Sequence, residues 1–251
     1  MLGVIYLSTS QTFELQSLNE KASISGGSIA LDLRRTVKTL ESAQVLPRLG
    51  FQNVRANITF LQFLQYFGDD RARQNSGNAL SDSFFRSIIE DDPFYREFYI
   101  FLTGSVSLNA AMPHRSVELM EKGLAALSPH QPDDSYYVWR YKAVDELLFL
   151  GDSKAAERSF ETAAAWANES SLPDSVSIAS ISQQTANFLK ENPESKAAQV
   201  GAWSSILSTA VDSDTRNRAI SNIQELGGEI VIGEDGRVTI KYARTGQDSE
   251  D

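Results

Sequence analysis

Leu150-Gly151-Asp152-Ser153-Lys154-Ala155-Ala156-Glu157-Arg158-Ser159-Phe160-Glu161-Thr162-Ala163 is the stretch whose reading decides the fold. Gly151-Asp152 is a turn signal, since both residue types suit the backbone that ends one helix and opens the next. Beyond the turn, a small residue (Ala156), a large aromatic at +4 (Phe160) and a small residue at a further +3 (Ala163) share one helical face. Tyr137–Leu150 reads as the helix before this turn and Lys154–Asn168 as the helix after it.

The same offsets recur outward along the chain. Forty residues earlier stand Ser116, Met120 and Gly123, and thirty-five earlier still stand Ser81, Phe85 and Ile88, where the last small residue is lost. Pro93 and Pro129, both at expected helix ends, are 36 residues apart. A fixed period of this size is the signature of stacked supersecondary units. Around these units the spacing predicts a buried core helix at Ile58–Phe67 (ITFLQFLQYF) and a helix carrying Phe84-Phe85 and Ile88-Ile89. Further helices are predicted at Tyr95 to about Asn109, Ser116–Leu127, Ala197–Val211 and Thr215–Leu226, the last capped by Asp214. Pro173 and Pro193 punctuate the helical stretches between. After Leu226 the period changes to that of strands: Ile230-Val231-Ile232 and Val238-Thr239-Ile240 flank Gly233-Glu234-Asp235-Gly236, a β-hairpin signal. A hairpin is marginal alone, so it is expected to pack on the last helix or a partner strand. The tail Thr245–Asp251 is acidic and polar and reads as disordered.

With these residues in hand, the chain resembles the tetratricopeptide-repeat family, most closely over Leu150–Ala163, well over about 55–168 and weakly over 172–211. In that motif the small residues let two antiparallel helices approach, and the aromatic wedges against the next repeat. Gly104, twelve residues before Ser116, sits where the motif's first helix carries a small residue; Val144 is a departure at the same place in the next unit. Leu46–Phe51, Phe60–Asp70 and Tyr136–Tyr141 are similar to repeat proteins of cyanobacteria, a resemblance that brings no activity with it. The expected fold is all-α: tetratricopeptide-like antiparallel helical hairpins stacked into a superhelix, with a small C-terminal β-hairpin. Four regions follow: a polar helical segment over 1–50, a repeat domain over 51–226, the hairpin over 227–243 and a disordered acidic tail over 244–251.

Composition narrows the chemistry. Lys and Arg total 23 against 33 Asp and Glu, a net charge of −10 in 251 residues. A general nucleic-acid binder needs a cationic surface, which this balance argues against. There are no cysteines, which excludes disulfides, thiolate zinc sites, iron–sulfur clusters and a cysteine nucleophile. The two histidines, His114 and His130, lie in turns without a second histidine at i+3 or i+4 and read as surface residues. No Walker A loop, G-x-S-x-G elbow, H-E-x-x-H pair or G-x-G-x-x-G fingerprint occurs. No cofactor, metal ligand or catalytic residue is assigned. Paired acids at Asp69-Asp70, Glu90-Asp91-Asp92 and Asp133-Asp134 read as helix stops and solvated turns. Their alternative reading is a helical-domain, carbohydrate-active hydrolase using two carboxylates, which requires Asp69 or Asp70 to meet Asp91 or Asp92 in a deep pocket.

Met1–Leu7 (MLGVIYL) is too short to span a bilayer, which takes about 20 apolar residues. It reads either as an ordinary apolar turn or as the remainder of a membrane anchor, and the cyanobacterial resemblance implies the second. Location is accordingly open between membrane-associated and cytoplasmic.

Tyr95, Phe98, Tyr99, Phe101, Tyr136, Tyr137, Trp139 and Tyr141 crowd the first helices of two units. About half should be core, and the remainder should line the inner face of a groove. The groove candidates are Phe101, Ser105, Arg140, Tyr141 and Asp145, since tyrosine, tryptophan and arginine dominate binding hot spots. These places lack the Lys and Asn with which some family members clamp a carboxylate. The expected function is a non-catalytic scaffold or assembly factor that holds a protein or peptide in this groove, serving a membrane or photosynthetic complex.

Overall fold

A computed structural model describes residues 50–69, 78, 80–210, 213–232 and 238–242. The expectations for 1–49, for Asp70, for the turn at 233–237 and for the tail lie outside these residues.

Gly151 and Asp152 do what the turn reading requires. Gly151 takes φ +66°, the left-handed conformation that ends a helix at little cost for glycine. The Asp152 carboxylate accepts from Ala155 N–H at 2.9 Å, capping the next helix. In chain order the elements are α1 (Gln52–Gly68), α2 (Leu80–Asp91), α3 (Glu97–Leu102), a π-helical stretch (Thr103–Asn109), α4 (Pro113–Leu124), α5 (Tyr136–Leu148) and α6 (Ser153–Glu169). Then follow α7 (Ser175–Glu191), α8 (Lys196–Thr209), α9 (Ser213–Glu225), β1 (Gly228–Ile232) and β2 (Val238–Tyr242). The fold is thus all-α with one small antiparallel hairpin, in which Ile230 pairs with Ile240.

Each predicted small–large–small face is buried. Ser116, Met120, Gly123, Ala156, Phe160 and Ala163 all lie in the interior, as do Ser81, Phe85 and Ile88. Gly123 shows why the position must be small. A Cβ there would collide with the phenol ring of Tyr99, which is itself buried and donates its hydroxyl to Pro93 O at 2.7 Å. Neighbouring helices pair as hairpins: α1 with α2, the π stretch with α4, α5 with α6, and α6 in turn with α7. One core joins α1–α4 through Phe63, Phe84, Phe85, Phe98 and Met120. A second joins α5–α9 through Leu147, Leu189, Trp203, Ile206 and Ile223.

Three differences from the expected elements have physical causes. The helix expected from Tyr95 to Asn109 starts at Glu97 and widens into π geometry at Thr103, with Ala110 N–H donating to Ser105 O at 3.1 Å. Pro113 opens α4 three residues before Ser116, because its fixed φ and missing donor suit a first helical turn. Asp214 lies in the first turn of α9 rather than at its cap. The hairpin packs as expected, β1 on α9 and β2 on α8.

The α8–α9 hairpin has an unexpected seat. Besides meeting α7, it turns back over α5 and the π stretch. Gly104 is the close-approach point, since a Cβ there would lie 3.2 Å from Thr215 Oγ1 of α9. Its smallness therefore serves α9, not the hairpin partner that the repeat pattern implied.

Gly123→Ala should destabilise the fold by about 1–3 kcal/mol, the usual range for overpacking, because the Tyr99 ring is held by its bond to Pro93. Tyr99→Leu in the same background should recover part of the loss, measured by urea denaturation followed by circular dichroism.

Candidate functional site

Helix α5 carries four charged side chains in or beside the core, and each is treated differently. Lys142 and Glu146 form a buried i,i+4 ion pair at 2.5 Å, and Ser159 of α6 donates to Glu146 at 2.6 Å. Asp145 is fully buried and accepts from Ser107 of the π stretch and from Ser116 of α4, the latter at 2.6 Å. The Thr103 hydroxyl of the π stretch also acts on this carboxylate. Burial pushes its pKa up to about 6, against the pull of the Ser107, Ser116 and Thr103 hydroxyls.

Arg140, five residues before Asp145, has no carboxylate partner among the described residues. Its Nη1 donates to Ser182 Oγ of α7 at 2.6 Å, and its guanidinium carbon lies 5.9 Å from the centre of the Phe160 ring. Burial depresses its pKa, with nearby tyrosines opposing. It lines a cavity of about 470 Å³ bounded by α5, α6, α7 and α8, with Val144, Leu147, Phe160 and Phe188 among its walls.

The five residues expected to line one groove are distributed over several environments. Phe101 packs edge-on against Phe60 and Phe63 of α1, at 5.1 and 5.7 Å between ring centres. Ser105 is 0% exposed and donates to Phe101 O at 2.7 Å. Both border a void of about 20 Å³ that α8 and α9 close with Ile206 and Thr215. Tyr141 is not among the residues that line the Arg140 cavity and is stacked on Tyr137 in the neighbourhood of Arg96. Asp145, also 0% exposed, is the internal carboxylate described above. As a contact surface this set needs correction: Ser105 is covered where α8 and α9 pack on the π stretch, and Asp145 is enclosed between α5, α4 and the π stretch. Arg140 is the member of the five that lines the cavity of about 470 Å³.

Apolar residues on α1 form the second surface feature. The run Ile58–Phe67 was expected to be buried throughout, yet only one face is. Ala56, Thr59, Phe63, Tyr66 and Phe67 point inward, whereas Phe51, Val54, Ile58 and Leu61 are 71%, 48%, 53% and 60% exposed. At 100° per residue the last four fall within an arc of about 80° on the outer side. Neither this stripe nor the cavity was foreseen; the signals were the 51-54-58-61 spacing and the small residues of α8.

Asp70 lies outside the described residues, and the other acids of the expected clusters have partners of their own. Asp91 is held by both Nε and Nη2 of Arg55, Glu90 pairs with Lys122, and Asp92 accepts from Phe94 N–H at 3.0 Å. Asp134 lies 2.8 Å from Arg96, and Asp133 accepts from Ser171 N–H at 3.2 Å. Among the described residues no group of three or more His, Asp or Glu is placed to hold a metal ion. His130 is exposed, 3.6 Å from Glu169, and His114 is exposed in the first turn of α4. No described helix is long and apolar enough to cross a membrane. Comparison with protein-family models, with curated proteins and with solved structures finds no match to this chain.

Because the Asp145 pKa is raised on folding, the native state holds more protons than the unfolded chain between the ordinary value of 3.8 and about 6. Its contribution is most favourable below that window and is lost as pH rises through it. Asp145→Asn keeps an acceptor for both serines and cannot ionise. Its stability relative to wild type should therefore increase by on the order of 3 kcal/mol from about pH 3.5 to about pH 7. Urea denaturation of both proteins across that range checks it; a pH-independent difference would sink the assignment.

Proposed function

We propose that this protein is a non-catalytic protein–protein interaction scaffold built from tetratricopeptide-like helical hairpins, and that it receives its partner on the outer face of α1. The observation that carries this reading is the stripe Phe51, Val54, Ile58 and Leu61. Its 3-4-3 spacing is that of one seam of a helix–helix interface, which knobs from a facing helix would fill. Asn53, Asn57, Gln62 and Gln65 rim it with uncharged polar groups, the anatomy of a docking patch rather than of a solvated helix face. The flanks carry little charge to select a partner by attraction, because Arg55 is committed to Asp91. The partner that fits is a protein presenting an amphipathic helix with a matching apolar seam.

The test uses the full chain in its native organism. A photo-crosslinking residue at position 58 should trap one protein reproducibly, whereas the same residue at exposed Val176 of α7 should not. Ile58→Glu/Leu61→Glu should abolish co-purification of that protein while leaving the melting temperature within a degree or two, since both positions are exposed. Crosslinks within the same chain to residues 1–49, with a clear loss of stability in the double variant, would instead make the stripe an internal packing face. Crosslinks between two copies, with a change of oligomeric state, would make it a self-association face. Equal capture by wild type and variant would remove the docking site.

A further inference from the structure

The Arg140 cavity rests on observations independent of the α1 stripe. Along α5 its wall is Arg140, Val144 and Leu147, at i, i+4 and i+7. The guanidinium thus stands at one end of an apolar row about 10 Å long. Phe160 and Phe188 extend the apolar wall, and α8 contributes small residues, Gly201 among them, whose lack of bulk leaves the space open. No atom outside its own helix lies within 4 Å of where a Gly201 Cβ would be.

A guanidinium cannot shed its proton to escape a poor environment. Its neighbours Lys142, Asp145 and Glu146 each have ionic or multiple polar partners, whereas Arg140 has one neutral acceptor, Ser182 Oγ. Its remaining donors have no protein acceptor among the described residues. The volume is that of a small-molecule site, typically about 300–1,000 Å³, and not of a groove for a folded partner.

We propose that the cavity binds an amphipathic monocarboxylate, a fatty-acid-like anion with its carboxylate on Arg140 and Ser182 and its acyl stem along Val144, Leu147 and Phe160. A single planar fork of donors matches one carboxylate in geometry and charge. No second cation lines the cavity, and the chain carries a net charge of −10, so a phosphate dianion or polyanion would bring uncompensated charge. The apolar row supplies the rest of the affinity through burial of the stem.

Isothermal titration of the full-length protein with decanoate, kept below its aggregation threshold, reads this directly. Wild type should bind decanoate at least about tenfold more tightly than decanol, which has the stem without the charge, a difference of about 1.4 kcal/mol. Arg140→Met keeps the packing volume and should erase that preference without lowering the melting temperature, because it removes an unpaired, part-buried charge. Gly201→Leu should fill the cavity and abolish binding while holding or raising the melting temperature. Equal binding of decanol and decanoate, or decanoate binding unchanged in both variants, would overturn the site. So would failure to bind decanoate combined with binding of a peptide that ends in a free apolar carboxylate, which would assign the cavity to a protein terminus. None of these outcomes bears on Ile58 and Leu61, so the two readings fail separately.

Discussion

A carboxylate with no route to water must receive its hydrogen bonds from the protein, and Asp145 places that demand at the centre of this fold. Its two serine donors come from different elements, Ser107 from the π stretch and Ser116 from α4. Satisfying both locks the rotation and height of α5 against that pair of helices. Lys142 and Glu146, on adjacent turns of α5, impose a second demand that Ser159 of α6 meets. Apolar contact alone would tolerate α5 in several registers, since hydrophobic attraction has no direction. The buried polar groups remove those alternatives, and this selectivity is a better account of them than stability, because buried charges seldom repay their desolvation in full.

The π geometry of Thr103–Asn109 belongs to the same constraint. A π turn is wider than an α turn, and it occurs where the chain presents Ser107 to Asp145 and Gly104 to Thr215 of α9. Ala111, at φ +54°, then ends the helix before Pro113 begins α4. From the two neighbours of this stretch follows the seat of the last hairpin: α5 fixed on one side, α9 admitted by Gly104 on the other. Arg140 is the exception on α5, a charge for which no neighbouring element provides a counter-ion. Removing it should cost little, whereas removing Lys142 would leave the buried Glu146 carboxylate with Ser159 and no counter-ion.

Much of the fold was legible because its constraints are local in sequence. Gly151 needs a left-handed backbone, Asp152 caps a helix three residues on, and Gly123 must admit a ring from the helix before it. Each leaves a residue-type signature at a short, fixed offset. The seat of α8–α9 left no such signature. Gly104 read correctly as a close-approach position, but the helix that approaches it is a hundred residues away, and nothing at residue 104 identifies Thr215. The α1 stripe was misread for a related reason. ITFLQFLQYF is apolar on both sides, and composition records how much of a helix is apolar but not which face has a partner. The cavity depends on four helices at once, including the small residues of α8, which show no one-sided pattern.

If the proposed scaffold reading holds, the seat of α8–α9 bears on which kind of partner the architecture can accept. In an open helical superhelix the inner faces of the first helices are free, and a peptide binds by covering them. Here Trp203, Ile206, Ala219 and Ile223 of α8 and α9 belong to the core that includes Ala143, Val144 and Leu147 of α5. A peptide entering at Phe101 or Ser105 would have to displace side chains whose burial is worth about 1.5–3 kcal/mol for each large one. It would also compete with a segment already tethered beside the site, whose effective concentration is on the order of millimolar or higher. Among the described residues no such competitor covers Phe51, Val54, Ile58 and Leu61, and the cavity beside Arg140 is open space that a small ligand can fill without dislodging a helix. On the reading proposed above, the seat of α8–α9 places recognition away from the inner face that the repeat pattern would nominate, and at the two places where the described residues leave apolar surface or charge without a partner.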